Sequence, residues 1–130
     1  MSSIRVMVVE DFPSFRQYLL LKLGERADLK VICEVADGLE AVKKAQELQP
    51  DLILLDIGLP TLDGMGAARR IRGLAPESKI IFLSQETGAE FIQEAASLGA
   101  GGYVFKTLAE SQLLPAIDAV LSGQRFVSNL

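Results

Sequence analysis

A short apolar run followed by a segment of helical periodicity recurs five times along this chain, and no other feature narrows its fold so far. Ile4–Val9 reads as a buried strand. Residues 13–25 read as a helix, with Pro13 in its first turn and Phe15, Leu19 and Leu23 on one side. Leu29–Val35 is the second strand. Asp37, three residues before Glu40, opens a helix that runs to about Leu48 and is broken by Pro50-Asp51. Leu52–Leu55 is apolar throughout, as expected of a strand covered on both faces. Residues 63–74 form the third helix behind an Asp63 cap, and Lys79–Leu83 the fourth strand. Residues 88–98 form the fourth helix, closed by Gly99; Gly102–Phe105 is the fifth strand, and residues 110–122 are the last helix, closed by Gly123. Pro115 lies inside that last helix, where it removes a hydrogen bond, so the helix is expected to start late or bend. Arg125–Leu130 read as the start of the chain's exit from the domain.

Alternation of this kind predicts an α/β fold with a five-stranded parallel sheet, doubly wound, and right-handed crossovers. At 130 residues the chain is one domain, residues 1–130, with no linker or repeat. Hydrophobic residues make up 49% and charged residues 23%, which excludes a disordered chain. One cysteine and no histidine exclude a disulfide framework, a Cys/His zinc site and any histidine base. Cys33 lies in an apolar strand and reads as core. The net charge of −4 argues against direct nucleic-acid binding by this domain. With no apolar signal region and no membrane-length run, a cytoplasmic location away from membranes is expected.

Ligands of open parallel sheets bind beyond the carboxyl ends of the strands, where strand order reverses. Strand one is followed by Glu10-Asp11; strand three ends in Asp56, strand four in Ser84 and strand five in Lys106. If strands one and three are neighbours, three carboxylates converge. Two like charges about 4 Å apart repel by about 4 kcal/mol at an effective dielectric near 20. Either a proton is retained or a cation is bound. Oxygen ligands without histidine or cysteine point to Mg²⁺, with Mn²⁺ as a substitute. Taken singly, Glu10 and Asp11 read as an ordinary helix N-terminus, and Ser84 and Lys106 as loop residues. Asp56 directly ends an apolar strand and has no helix to cap.

These residues resemble the receiver domains of two-component response regulators. The motifs are Val-Val-Glu-Asp at 8–11, Leu-Leu-Asp-Ile-Gly-Leu-Pro at 54–60, Asp-Gly at 63–64, Phe-Leu-Ser at 82–84 and Gly-Tyr-Val-Phe-Lys at 102–106, and the match covers essentially the whole chain. The resemblance implies a flavodoxin-like strand order 2-1-3-4-5. It makes Asp56 the phosphoacceptor for a sensor histidine kinase or phosphotransfer protein. It makes Glu10, Asp11, Asp56 and the Gly58 carbonyl the Mg²⁺ site, and Ser84 and Lys106 the phosphoryl-binding pair. Tyr103 is the aromatic switch, and Gly58, Gln85 and Glu86 are the positions near which dephosphorylation is tuned. Such a domain takes part in its own phosphorylation and dephosphorylation without being a conventional turnover enzyme.

Ile-Gly-Leu-Pro at 57–60, Gly-Tyr-Val-Phe-Lys-Thr at 102–107 and Leu-Ser-Gly-Gln-Arg-Phe-Val-Ser at 121–128 resemble receivers of LuxR/NarL-type regulators, which bind DNA through a separate helix-turn-helix output domain. No output domain lies within these 130 residues. A homodimer on phosphorylation is the associated expectation. Thr107 stands where many members have proline, and Gln85 where a small residue is common. The face built from helix four, strand five and helix five is expected to report activation, with Phe91, Ala95 and Leu98 along one side of helix four. Three alternatives stand beside this reading. A flavin domain would need a glycine- or hydroxyl-rich loop where Glu10-Asp11-Phe12-Pro13 stands. An aspartate-nucleophile phosphatase would place a second acid where Gly58 stands. A degenerate receiver would act as a constitutive protein-binding module.

Overall fold

The computed structural model describes residues 3–129. The elements, in chain order, are β1 (Ile4–Val9), α1 (Pro13–Leu23), β2 (Leu29–Val35), α2 (Gly38–Leu48), β3 (Leu52–Asp56) and α3 (Gly64–Leu74). They continue as β4 (Lys79–Ser84), α4 (Ala89–Ser97), β5 (Gly102–Phe105), a 3₁₀ turn (Lys106–Leu108), α5 (Ala109–Leu121) and β6 (Phe126–Val127). All strands pair in parallel, in the order β2-β1-β3-β4-β5-β6.

Residues of alternating parity on these strands divide the core in two, because successive strand side chains point to opposite faces. Val6, Val8, Leu52, Leu54, Ile81, Leu83 and Val104 pack against Leu19 and Leu23 of α1 and Leu113 and Ile117 of α5. Met7, Val9, Ile53, Leu55, Phe82 and Phe105 pack against Ala41 of α2, Met65 and Ile71 of α3, and Ala95 of α4. Leu52–Leu55 is fully buried, since helices cover both its faces. Cys33 is half-buried and packs on the second of these clusters. The helix signals act as expected: Asp37 accepts from the Glu40 N–H at 2.8 Å and Asp63 from the Gly66 N–H at 2.7 Å. Gly99 (φ 83°) and Gly123 (φ 89°) follow α4 and α5 in the left-handed region that glycine tolerates.

Two expectations need correction. Among the described residues the sheet has six strands, not five, and the segment read as an exit holds the sixth. Two residues are too few to show a periodicity, and their stability comes from the neighbouring edge. Phe126 N–H donates to the Gly101 carbonyl at 3.1 Å and Ser128 N–H to the Tyr103 carbonyl at 2.8 Å. The buried Ser128 hydroxyl accepts from Phe105 N–H at 3.1 Å and pairs with Gln112, so the β5 edge is closed. Second, of the two outcomes expected from Pro115 the late start does not occur: α5 begins at Ala109 and runs through Pro115. Pro115 and Ser111 are both exposed, so the carbonyl of Ser111 that proline leaves without a helical partner lies toward solvent.

The peptide between Lys106 and Thr107 is trans. Among the described residues, no helix is long and apolar enough to cross a membrane.

Candidate functional site

β1 and β3 are adjacent while β2 lies outside β1, so strand order reverses between β1 and β3. Their carboxyl ends, with those of β4 and β5, open on one cavity of about 580 Å³. Glu10, Asp11, Asp56, Gly58, Gln85, Glu86 and Lys106 line it. Phe12, Ser14, Phe15 and Tyr18 from the start of α1 line it too.

The acids differ in their surroundings. Glu10 is only 1% exposed and Asp56 8%, whereas Asp11 is exposed. Carboxylate oxygens of all three lie within 4.8 Å of one another. Asp56 Oδ1 accepts from the Ile57 N–H at 2.8 Å, and Oδ2 lies 3.3 Å from Lys106 Nζ. Glu10 Oε2 accepts from the Phe12 N–H at 3.1 Å, and Oε1 lies 2.9 Å from the same ammonium. The ammonium is thus shared by the buried Glu10 Oε1 and by Asp56 Oδ2. Burial pushes the Glu10 carboxyl above its ordinary range; Lys106 opposes this without cancelling it, and the Asp56 charge adds to it.

The backbone around Asp56 depends on Gly64. A Cβ there would fall 2.0 Å from the Asp56 carbonyl oxygen, so only glycine lets the start of α3 approach the end of β3. Its N–H donates to the Ile57 carbonyl at 2.7 Å. Thr61 takes φ 66° in the same loop, and its hydroxyl bridges Asp37 Oδ1 and the Leu39 N–H at 3.1 Å each, which ties the loop to the start of α2.

Ser84 and Tyr103 lie behind the cavity and do not line it. Ser84 Oγ accepts from the Glu86 N–H at 2.9 Å. The Tyr103 ring is 1% exposed, packed edge-on to Phe105, and its hydroxyl donates to the Glu86 carbonyl at 2.8 Å. Burial pushes this phenol's pKa up, and the nearby Ser84 hydroxyl offsets that only in part. Gln85 and Glu86 are exposed on the β4–α4 loop.

Helical spacing puts Phe15 on one side of α1 with Leu19 and Leu23 and assigns neither it nor Tyr18 to the site. The signal lay in the topology: the first turn of a helix that follows a switch-point strand must border the site. Gly64 was part of a quoted motif, but its role needs the distance to Asp56.

The residues suit a hard divalent cation. The donor set is carboxylate oxygen only, and the three gathered carboxylates have one ammonium between two of them, so the cluster is short of positive charge.

A doubly wound sheet with acids and a lysine gathered at its switch point defines a class of domains whose site can take a hard divalent cation. Within it, the family model for the response regulator receiver domain matches residues 6–118, and the chain belongs to that family. It is 36% identical over 119 residues to a putative transcriptional regulator of Pseudomonas aeruginosa, covering 92% of this chain and 57% of that protein. It is 32% identical over 125 residues to the response regulator GacA of Pseudomonas viridiflava, covering 96% and 58%. A solved two-component response regulator of the LuxR family from Aurantimonas sp. superposes with a TM-score of 0.91 at 34% identity, covering 96% of this chain and 89% of that one. The chain thus spans little more than half the length of the curated relatives it matches.

Proposed function

We propose that this domain is the phosphoacceptor switch of a two-component system, with Asp56 as the acceptor. The reading is carried by one observation. The Lys106 ammonium sits between Glu10 and Asp56 at the switch point, with Asp11 beside them.

The donor is a phosphohistidine of a sensor kinase or a phosphotransfer protein. A carboxylate oxygen of Asp56 bonds to phosphorus, the phosphorus–nitrogen bond breaks, and the imidazole leaves with its electron pair. Positioning and charge neutralisation do most of the work in phosphoryl transfer. Mg²⁺, or Mn²⁺ in its place, would be held by Asp11, Asp56 and the Gly58 carbonyl with Glu10 nearby, and supplies positive charge to the transferring oxygens. Lys106 needs little movement to pair with the new anion. Ser84 Oγ accepts from the Glu86 N–H, and its hydroxyl would turn from the neighbouring Tyr103 oxygen to donate to the phosphoryl group.

A shift of Ser84 and Lys106 toward the phosphoryl group acts on β4 and β5 together. Tyr103, tied to the β4–α4 loop through Glu86, reports it to the α4–β5–α5 face, and its carbonyl passes it to the segment after β6. The output of such a cytoplasmic switch is transcriptional, through DNA binding by a domain outside these 130 residues, with homodimerisation on phosphorylation. Gly58, Gln85 and Glu86 border the phosphoryl position and set access for hydrolytic water.

The test is intact mass after incubation with Mg²⁺ and acetyl phosphate. One phosphoryl mass is expected on the native chain and none on Asp56→Asn. Labelling that survives the substitution, or that ignores a chelator, overturns the assignment.

A further inference from the structure

The Lys106 ammonium has a third neighbour besides the two carboxylates: it lies 4.7 Å from the centroid of the Phe15 ring. We propose that Phe15 is a positioning residue for Lys106, its ring face holding the ammonium over the acids by a cation–π contact; this rests on the receiver reading of the site.

An ammonium carries three N–H groups on a flexible four-carbon stem. Glu10 Oε1 at 2.9 Å and Asp56 Oδ2 at 3.3 Å fill two directions. The ring fills another that would otherwise open on the cavity, and the Lys106 side chain is left 12% exposed. A ring face is negative, so it attracts the cation without offering a lone pair that would compete with a phosphoryl oxygen.

The ring is itself fixed. Phe15 packs against Tyr18, with centroids 5.5 Å apart and planes tilted by 30°. The Tyr18 hydroxyl donates to Glu110 Oε2 at 2.9 Å. Glu110 lies in the first turn of α5, four residues after Lys106. The aromatic pair therefore joins α1 to the segment that carries the lysine.

A fluorinated phenylalanine series at position 15 tests this, because fluorine drains the ring face while changing its shape little. The initial rate of Mg²⁺-dependent phosphorylation by acetyl phosphate is expected to fall stepwise from phenylalanine to mono-, di- and trifluorophenylalanine. The whole loss should be several-fold, on the order of 3- to 30-fold, with unchanged melting temperatures. Phe15→Trp should keep the native rate and Phe15→Leu should lose it to the same degree as the trifluorinated ring. A purely structural ring gives a flat series, which overturns the proposal while leaving Asp56 as acceptor. A second readout needs no phosphorylation: the Lys106 Cε protons should resonate upfield in the native protein and return to ordinary values in Phe15→Leu. Ordinary values in the native protein also overturn the proposal. If the native chain takes no phosphoryl group from acetyl phosphate, the receiver reading fails and the positioning role falls with it, whatever the Cε shifts show.

Discussion

On the surface between α1 and α5 the charges are matched. Arg26 lies 2.9 Å from Asp28 and 3.0 Å from Asp118, and Lys22 pairs with Glu110 at 3.2 Å and Glu25 at 3.6 Å. Their partners hold the Arg26 and Lys22 pKa values up and the Asp28 and Glu110 values down, so these four groups stay charged at neutral pH. At the carboxyl ends of β1 and β3 three acids face one ammonium, two of them buried. The first region is a solvated network whose removal changes little. The second is a charge imbalance that folding does not relieve, which is the condition for binding a cation and then exchanging charge with a phosphoryl group.

Removing the one cation from the unbalanced region should have the largest effect. Lys106→Ala leaves Glu10 and Asp56 facing each other without a counter-charge. The metal-free protein should lose on the order of 2–3 kcal/mol in urea denaturation, and Mg²⁺ should restore part of it. A loss as small as that of a surface pair would mean that solvent already screens the site.

An intermediate effect is expected at Glu10, with a defined pH window. Its folded-state pKa lies above the ordinary 4.5, so the folded form binds the proton more tightly than the unfolded form. The resulting stability is fully present below about 4.5 and is lost as pH rises through the higher folded value. The surface carboxylates Asp28 and Glu110, with lowered pKa values, act in the opposite sense. The difference between native and Glu10→Gln stability isolates the term. In chelator, Glu10→Gln should gain on the native protein as pH rises from 4.5 to 7. A difference that stays constant with pH would contradict the buried-charge account.

Much of this contrast was readable in the sequence, and the unreadable parts share a cause. Strand ends fall where an apolar run meets a polar residue, so Glu10, Asp56, Ser84 and Lys106 could be placed before any coordinates. The adjacency of β1 and β3 rested on the family resemblance, since a doubly wound sheet also permits orders that separate them. Phe126–Val127 escaped because a two-residue strand has no pattern of its own and is held by Gly101 and Tyr103 on its neighbour. Phe15 escaped because the spacing that marks a core position is identical to the spacing that sets a ring over a lysine. Pro115 misled because local propensity weighs a proline the same on either face of a helix, whereas here it stands on the open one.

The matched region should give the smallest effect. Arg26→Ala removes both carboxylate contacts, yet chemical denaturation should register a loss of about 1 kcal/mol at most, smaller still in high salt. A loss comparable to that of Lys106→Ala would erase the distinction between the two regions.

The most direct measurement is paramagnetic broadening of backbone amide signals by substoichiometric Mn²⁺, since it asks both regions the same question at once. Signals of Glu10, Asp11, Asp56, Ile57 and Gly58 should vanish first, while those of Arg26, Asp28 and Asp118 stay sharp, and excess Mg²⁺ should restore them all. Broadening spread over exposed carboxylates, or centred on the α1–α5 surface, would contradict the claim that the unbalanced acids at the switch point form the cation site.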